Sequence, residues 1–482
     1  MTEKTFISKE HSRNMPFIRI KRIVLQNFKS VGYGEITFNC GNEFVPYETE
    51  SDILGIYGQN GSGKTALIEA LYILKELMSG KPVPNDYADC VALDKPYSTL
   101  EFVFDLQYLD ERIREVTYSF KMSKESISID ETEQYQNNKL DGFTSMLSKE
   151  KAVIFDEKIS LVWEGASKKQ VIIDTSASNT PFSPETKRKE ITGNDKKTLV
   201  SLLVKKDLAK AGSRSFVFLS DTLSIFEEYD SSSVYFEVLV ELRNYARHDL
   251  YVIDTKSSGF IRLNLAIPVY TRDGRMMFDT KEPEIIPNSI LNDAKRTIDN
   301  ISSVLEQLVP GLAIGLKKLT STLDKNGNPA TLAMLVAYRD GKELPLRDES
   351  DGVRKILSVL SLIIAAFNQP SVTVAIDEFD AGIFEYLLGE ILQAMEESGE
   401  GQFIFTSHNL RPLEVIDRKF ICFTTTDPEN RYTRLKPIAE TNNLRDTFLR
   451  EILLAEQKEE IYHRTKRYKI ISAIQNAGGD NE

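Results

Sequence analysis

One segment constrains this 482-residue chain more than any other: Gly58-Gln59-Asn60-Gly61-Ser62-Gly63-Lys64-Thr65. It follows the apolar run ILGIY, residues 53–57. It precedes Ala66, Leu67, Ala70, Leu71, Leu74, Leu77 and Met78, which recur at helical spacing. A strand, a glycine-rich loop and a helix in that order build an anion-binding corner. The glycines let the backbone turn its N–H groups toward phosphate oxygens. The helix aims its positive end at the same anion. Lys64 supplies a point charge for β- and γ-phosphates, and the Thr65 hydroxyl suits Mg²⁺.

Three further segments fit a phosphate-handling site. VTVAIDEFD, residues 372–380, reads as a buried strand that delivers Asp377 and Glu378 at its carboxyl end, where ligands of open α/β sheets bind. Asp377 is placed to hold Mg²⁺, and Glu378 to polarise an attacking water. QFIFTSHN, residues 402–409, is a second short strand, ending at His408, which is positioned to hydrogen-bond a γ-phosphate. In ESDGVRK, residues 349–355, Ser350 is a natural N-cap and Gly352 permits close backbone approach, giving a second anion site at a helix start. A helix over Ala381–Glu397 is expected, with Phe384, Leu387, Leu388, Ile391 and Met395 as its buried stripe. Asp380 is a candidate N-cap for it.

Together the four segments resemble the ABC-type ATPases, in the branch that holds SMC, RecF and the OLD-like proteins. GQNGSGKT looks like Walker A, ESDGVRK like the signature motif, VAIDEFD like Walker B with its catalytic glutamate, and TSHN like the switch-histidine loop. The opening IRIKRIVLQNFKSV is similar to the first strand of that branch, where Lys29 matches a residue near the adenine or ribose. The resemblance covers about residues 17–110 and 310–425 and departs from the transporter signature LSGGQ. It implies ATP and Mg²⁺ as ligands. It also implies a catalytic set of Glu378, His408 and Lys64, and metal binding by Thr65 and Asp377. The remaining nucleotide contacts would come from Gly58 to Thr65, Ser350, Gly352 and Lys29. Gln107, after LEFVFDL, is the candidate for the family's glutamine loop.

The resemblance further implies a homodimer or larger homo-oligomer with ATP sandwiched between Lys64 of one subunit and Ser350 of the next. The two anion sites are expected on opposite sides of a sheet, so one phosphate tail would meet them in trans. The residues after His408 are too few for a Toprim nuclease, and His11, His248 and His463 stand isolated. An ATPase without its own nuclease is expected, controlling a separate effector protein (a nuclease is one candidate), as in bacterial AAA-family ATPases of phage-defence operons. Direct DNA binding of the RecF type is the alternative. A transporter subunit and a small-molecule kinase fit less well.

The fold class expected is α/β: an ABC-type ATPase head with an antiparallel β subdomain and a mainly helical insertion. Residues 1–97 form one ATPase lobe, 98–176 the antiparallel meander, 177–310 the helical insertion with one strand near 261–270, 311–440 the second lobe, and 441–482 a helical tail. A hairpin turns at 324–329. The insertion is the expected place for partner specificity, since a bare ATPase does not need it.

Composition sets the outer limits. Hydrophobic residues are 41% and charged residues 27%, an ordinary globular balance. The net charge of −12 excludes a general polyanion binder, so nucleic acid needs a local basic face. The sets Arg19, Lys21, Arg22 and His463, Arg464, Lys466, Arg467, Lys469 are candidates, though a solvated face explains each as well. The longest apolar run, Ile356 to Phe367, falls short of the roughly 20 residues that span a bilayer, so no membrane is expected. Cys40, Cys90 and Cys422 form no disulfide framework. With no leader pattern at the start, they point to the cytoplasm.

Overall fold

A computed structural model describes residues 17–38, 52–107, 113–126, 150–163, 165–193, 195–254, 266–271, 274–279, 281–339, 341–434, 444–454, 460–462, 467–469, 471 and 473. β1 (Phe17–Phe28) and β2 (Val31–Thr37) form a hairpin, and β3 (Asp52–Tyr57) runs into the glycine loop and α1 (Lys64–Met78). β4 (Ser98–Gln107), β5 (Ile113–Ser126), β6 (Glu150–Trp163) and β7 (Gln170–Asp174) join the hairpin in one antiparallel sheet, order β2-β1-β4-β5-β6-β7. This is the expected meander. Ile20 and Ile23 share a face despite their odd spacing, because the register against β4 shifts between Ile20 and Arg22.

Four helices follow: α2 (Glu185–Thr192), α3 (Lys196–Ala211), α4 (Ser220–Asp230) and α5 (Val234–Asn244). A π-turn at Tyr245–Asp249 leads into β8 (Leu250–Ile253). β9 (Ala266–Thr271) pairs with β10 (Gly274–Asp279). β11 (Glu284–Pro287), α6 (Leu291–Leu308), β12 (Leu312–Leu323), β13 (Pro329–Arg339) and β14 (Lys342–Pro345) come next. β12 and β13 are the expected hairpin. The last third alternates α7 (Asp351–Asn368), β15 (Thr373–Ile376), α8 (Glu385–Ser398), β16 (Gln402–Thr406), α9 (Pro412–Val415), β17 (Ile421–Thr424), β18 (Tyr432–Thr433) and α10 (Leu444–Leu454).

The second large sheet has the order β18-β17-β3-β16-β15-β8, parallel except for β18. Its central strands are buried on both faces, as a parallel sheet between helices must be. Alternate residues divide its two cores. Leu54, Ile56, Ala375 and Ile404 pack with α1, the antiparallel sheet and α2–α5. Ile53, Val374, Ile376, Phe403 and Phe405 pack with α6, α7 and α8. The helices that follow Lys64 and Ser350 therefore lie on opposite faces, as expected.

Gly32 and Gly34 lie inside β2; a Cβ at Gly34 would stand 2.6 Å from the Tyr432 ring, which occupies that space. Three expectations need correction. α8 begins at Glu385, after a turn with Gly382 at φ +77°, so Asp380 caps no helix. Phe384, at the N-cap position, is 72% exposed and leaves the buried stripe to its neighbours. The strand expected near 261–270 is β9, and residues 261–265 lie outside the described set. The same stretch of chain also supplies β8, β10 and β11, one of them an edge strand of the parallel sheet.

Candidate active site

The site lies at the carboxyl edge of the parallel sheet, where β3, β15 and β16 end side by side. Gly58, Gly61 and Gly63 adopt φ of +149°, +78° and +95°, which L side chains avoid. At Gly58 the need is also steric, since a Cβ would collide with the Thr424 hydroxyl. Gly63 sits at the N-cap of α1 with no side chain to cap it, so the first N–H groups of the helix face outward for an anion. The loop is braced from beneath by residues that sequence reasoning passed over. The Ser62 and Thr424 hydroxyls are hydrogen-bonded to each other, and the Tyr432 hydroxyl donates to the Gly63 carbonyl at 2.9 Å. Lys64 Nζ donates to the carbonyls of Gly58 (2.7 Å) and Gln59 (3.1 Å). Burial lowers the pKa of its ammonium, while Asp377, Glu378 and Asp380 act to raise it. Asn60 and Gly61 are exposed at the loop's tip.

Asp377, Thr65 and Thr406 form a compact polar group. The Thr65 hydroxyl donates to Asp377 Oδ1 at 3.3 Å, and the Thr406 hydroxyl to the same oxygen at 2.5 Å. A buried carboxylate beside the Thr65 hydroxyl suits a magnesium ion that takes its other ligands from phosphate and water. Among the described residues, no group of three or more His, Cys, Asp or Glu is placed to hold a metal without such help.

Glu378 is half-buried and has φ +48°, an uncommon value for a non-glycine residue. Both ends of its backbone are pinned. Its N–H donates to Thr406 Oγ1 at 2.8 Å, and its carbonyl accepts from Lys355 Nζ at 2.9 Å. Phe379 next to it is buried against Phe403 and Phe405. A left-handed conformation costs roughly 1–2 kcal/mol, and these contacts offset it while fixing where the carboxylate points. Asp380 Oδ2 accepts from the N–H groups of His408 (3.2 Å) and Asn409 (3.0 Å), joining the two loops. Its Oδ1 is buried without a hydrogen-bond partner. His408 itself is exposed.

Residues 349–352 form a capped helix start with a close backbone approach. Ser350 Oγ accepts from the Val353 N–H at 3.3 Å and caps α7. A Cβ on Gly352 would stand 2.6 Å from the Gly382 carbonyl, so only glycine fits. Ser350 and Gly352 line an open groove of about 600 Å³ with Leu308, Phe384 and Tyr386. Lys355 had no role in the sequence reading. Its burial lowers the ammonium to about 8 against the opposing pull of Asp380, Glu378 and Asp377. The available signal was a lysine at the edge of an apolar helical run.

The other candidates are placed as follows. Lys29 pairs with Glu69 on α1 at 2.6 Å. Gln107 ends β4 opposite Phe17, at the other end of β1 from Lys29, and its side chain lies outside the described residues. Arg22 pairs with Glu35 and Glu101, Lys21 with Glu115, and Arg19 bonds the carbonyls of Pro370 and Glu400, so all three side chains of this basic set are engaged within the chain. Of the C-terminal set, Arg467 and Lys469 are exposed, and His463, Arg464 and Lys466 lie outside the described residues.

Residues 53–414 match the model of a protein family described as "AAA domain, putative AbiEii toxin, Type IV TA system". No curated protein matches the chain. Among solved structures it is similar to the SMC head domain from Thermotoga maritima (13% identity, TM-score 0.37, 87% of this chain and 100% of that one). It is also similar to the SmcHead bound to the C-winged helix domain of ScpA (14%, 0.38, 87% and 98%). The recombination mediator protein RecF gives 13%, 0.34, 88% and 100%.

Proposed function

This chain belongs to the AAA-domain family, and on that premise we propose that it is a magnesium-dependent ATP phosphohydrolase working as a two-subunit switch. The observation that carries the reading is the network joining Thr65, Asp377, Thr406 and Glu378 beside the Lys64 loop. The loop N–H groups and Lys64 bind the phosphate tail. Thr65 and Asp377 hold the metal, which would neutralise charge on the phosphates. Glu378 accepts the proton of the attacking water, and His408 meets the terminal phosphate.

Ser350 and Gly352 act on the partner subunit's nucleotide. The support is that the helices following Lys64 and Ser350 sit on opposite faces of one sheet, while Ser350 and Phe384 are exposed. ATP binding closes the pair and hydrolysis reopens it. The motion is read by a separate effector, a nuclease being one candidate, in phage defence or DNA surveillance. Support for a partner surface comes from α3, where Val200, Val204 and Leu208 form an exposed apolar stripe four residues apart. The alternative, direct DNA binding, is favoured by exposed Arg467, Tyr468 and Lys469, a basic pair around an aromatic ring.

Phosphate release from Mg-ATP by wild type, Lys64→Ala and Glu378→Gln tests the activity. Turnover that needs Mg²⁺ and both residues supports it, and turnover indifferent to both substitutions rejects it. DNA binding that weakens steeply with salt and is lost on Arg467→Glu would favour the alternative.

A further inference from the structure

We propose that Lys355 is a positioning residue that locks the anion-binding end of α7 to the backbone of Glu378, so that the phosphate held at Ser350 for one ATP sets the catalytic carboxylate for the other. This rests on the two-subunit reading above.

Ser350, Gly352 and Lys355 share the first turn and a half of α7. Gly352 and Gly382 meet backbone to backbone, with no room for a side chain between them. Lys355 Nζ reaches across the same contact to the Glu378 carbonyl at 2.9 Å. Lys355 is 5% exposed, and a buried ammonium is costly to hold unless it is hydrogen-bonded. Its position is explained by what it grips. Glu378 has φ +48°, its N–H donates to Thr406, and its carbonyl accepts from Lys355 Nζ and from the Ala381 N–H at 3.0 Å. Of these, the Lys355 bond is the one that ties the Glu378 peptide to α7, and losing it lets the peptide shift within its own turn and moves the carboxylate.

The consequence is a link between sites. In a sandwich, Ser350 of one subunit touches the ATP on its partner's loop, while Glu378 of that same subunit acts on its own ATP. A rigid Ser350–Lys355–Glu378 path makes each site report to the other, and such coupling must be reciprocal for binding.

The test is steady-state ATP hydrolysis against ATP concentration for wild type, Lys355→Met and Lys355→Arg, with thermal melting and mass in solution under Mg-ATP. Lys355→Met should lower kcat at least 10-fold, leave KM within about threefold, still pair under Mg-ATP with a doubled mass, and bring a Hill coefficient above 1 down to 1. Lys355→Arg, which keeps a donor, should recover at least a third of kcat. If Lys355→Met does not fold, Lys355→Gln is assayed in its place with the same expectations as Lys355→Met. Wild-type kcat in the methionine variant, or an arginine variant as inactive as the methionine one, overturns the proposal. So does a wild-type Hill coefficient of 1. Turnover lost in Glu378→Gln but kept in Lys355→Met overturns this inference alone. Turnover kept in Glu378→Gln removes the parent reading as well.

Discussion

Two regions of this molecule bury carboxylates, and they use them differently. At the seam between the antiparallel sheet and the insertion helices, Glu157 is buried and fully engaged. It accepts from the Tyr118 hydroxyl (2.9 Å), the Ser215 hydroxyl (2.5 Å) and the Phe216 N–H (2.6 Å). Burial raises its pKa against those bonds. At the edge of the parallel sheet, Asp377 is also buried, and its Oδ1 accepts from the Thr65 and Thr406 hydroxyls. Around it stand a strained Glu378, a buried Asp380 oxygen without a partner and a desolvated Lys64. A carboxylate satisfied on all sides holds structure together. Polar groups left strained or partly satisfied at a strand end await a ligand.

Substitutions at the two regions should therefore separate activity from stability. The largest effect is expected from Lys64→Ala: ATP turnover falls by roughly 100-fold or more, with no loss of melting temperature, because a desolvated charge is removed. Glu157→Ala should do the reverse. It orphans three donors and costs about 3 kcal/mol of stability in urea unfolding, while turnover per folded molecule stays within about threefold of wild type. If Glu157→Ala abolished turnover in folded protein, the division between the regions would fail. Gly352→Val should lower turnover roughly 10-fold by driving α7 away from the Gly382 carbonyl, with a stability cost of about 1–3 kcal/mol from overpacking.

The smallest effect probes the joint between the regions. Asp249 lies in the π-turn that leads from the insertion into β8, and burial, aided by Glu241, raises its carboxyl to about 7. An unfolded aspartate titrates near 4. Between those values the folded chain keeps a proton that the unfolded chain releases. The stability this contributes is full below about pH 4 and is lost as pH rises through 7. Asp249→Asn should then stabilise the chain at pH 8 and change little at pH 4, read from paired unfolding curves. Equal effects at both pH values would place the carboxylate in water.

Much of the active edge was legible in the sequence because its demands are local. Glycines at Gly58, Gly61 and Gly63, a capping serine at Ser350 and acids after an apolar strand are choices that one short segment can display. What was not legible depends on distant parts of the chain meeting. Thr424 and Tyr432 brace a loop more than 350 residues earlier. Thr406 gains its place only when β16 pairs beside β15. β8, four residues long, looks like the end of a helix until the sheet supplies its partner. The sequence points to a helix start at 381 because Asp380 can cap a helix. The fold instead turns that side chain toward the His408 loop, where two N–H groups need an acceptor. Phe384 was assigned to the core by spacing alone, and spacing does not register a helix that begins four residues late.

The central claim is that ATP joins two copies of this chain and that Glu378 parts them. Its most direct measurement is the mass in solution of wild type and Glu378→Gln, each with and without Mg-ATP. The account predicts that the glutamine variant doubles its mass only when nucleotide is present, and that wild type does so transiently or not at all. A mass that stays fixed in the variant, whether monomeric or already assembled without ATP, would contradict it.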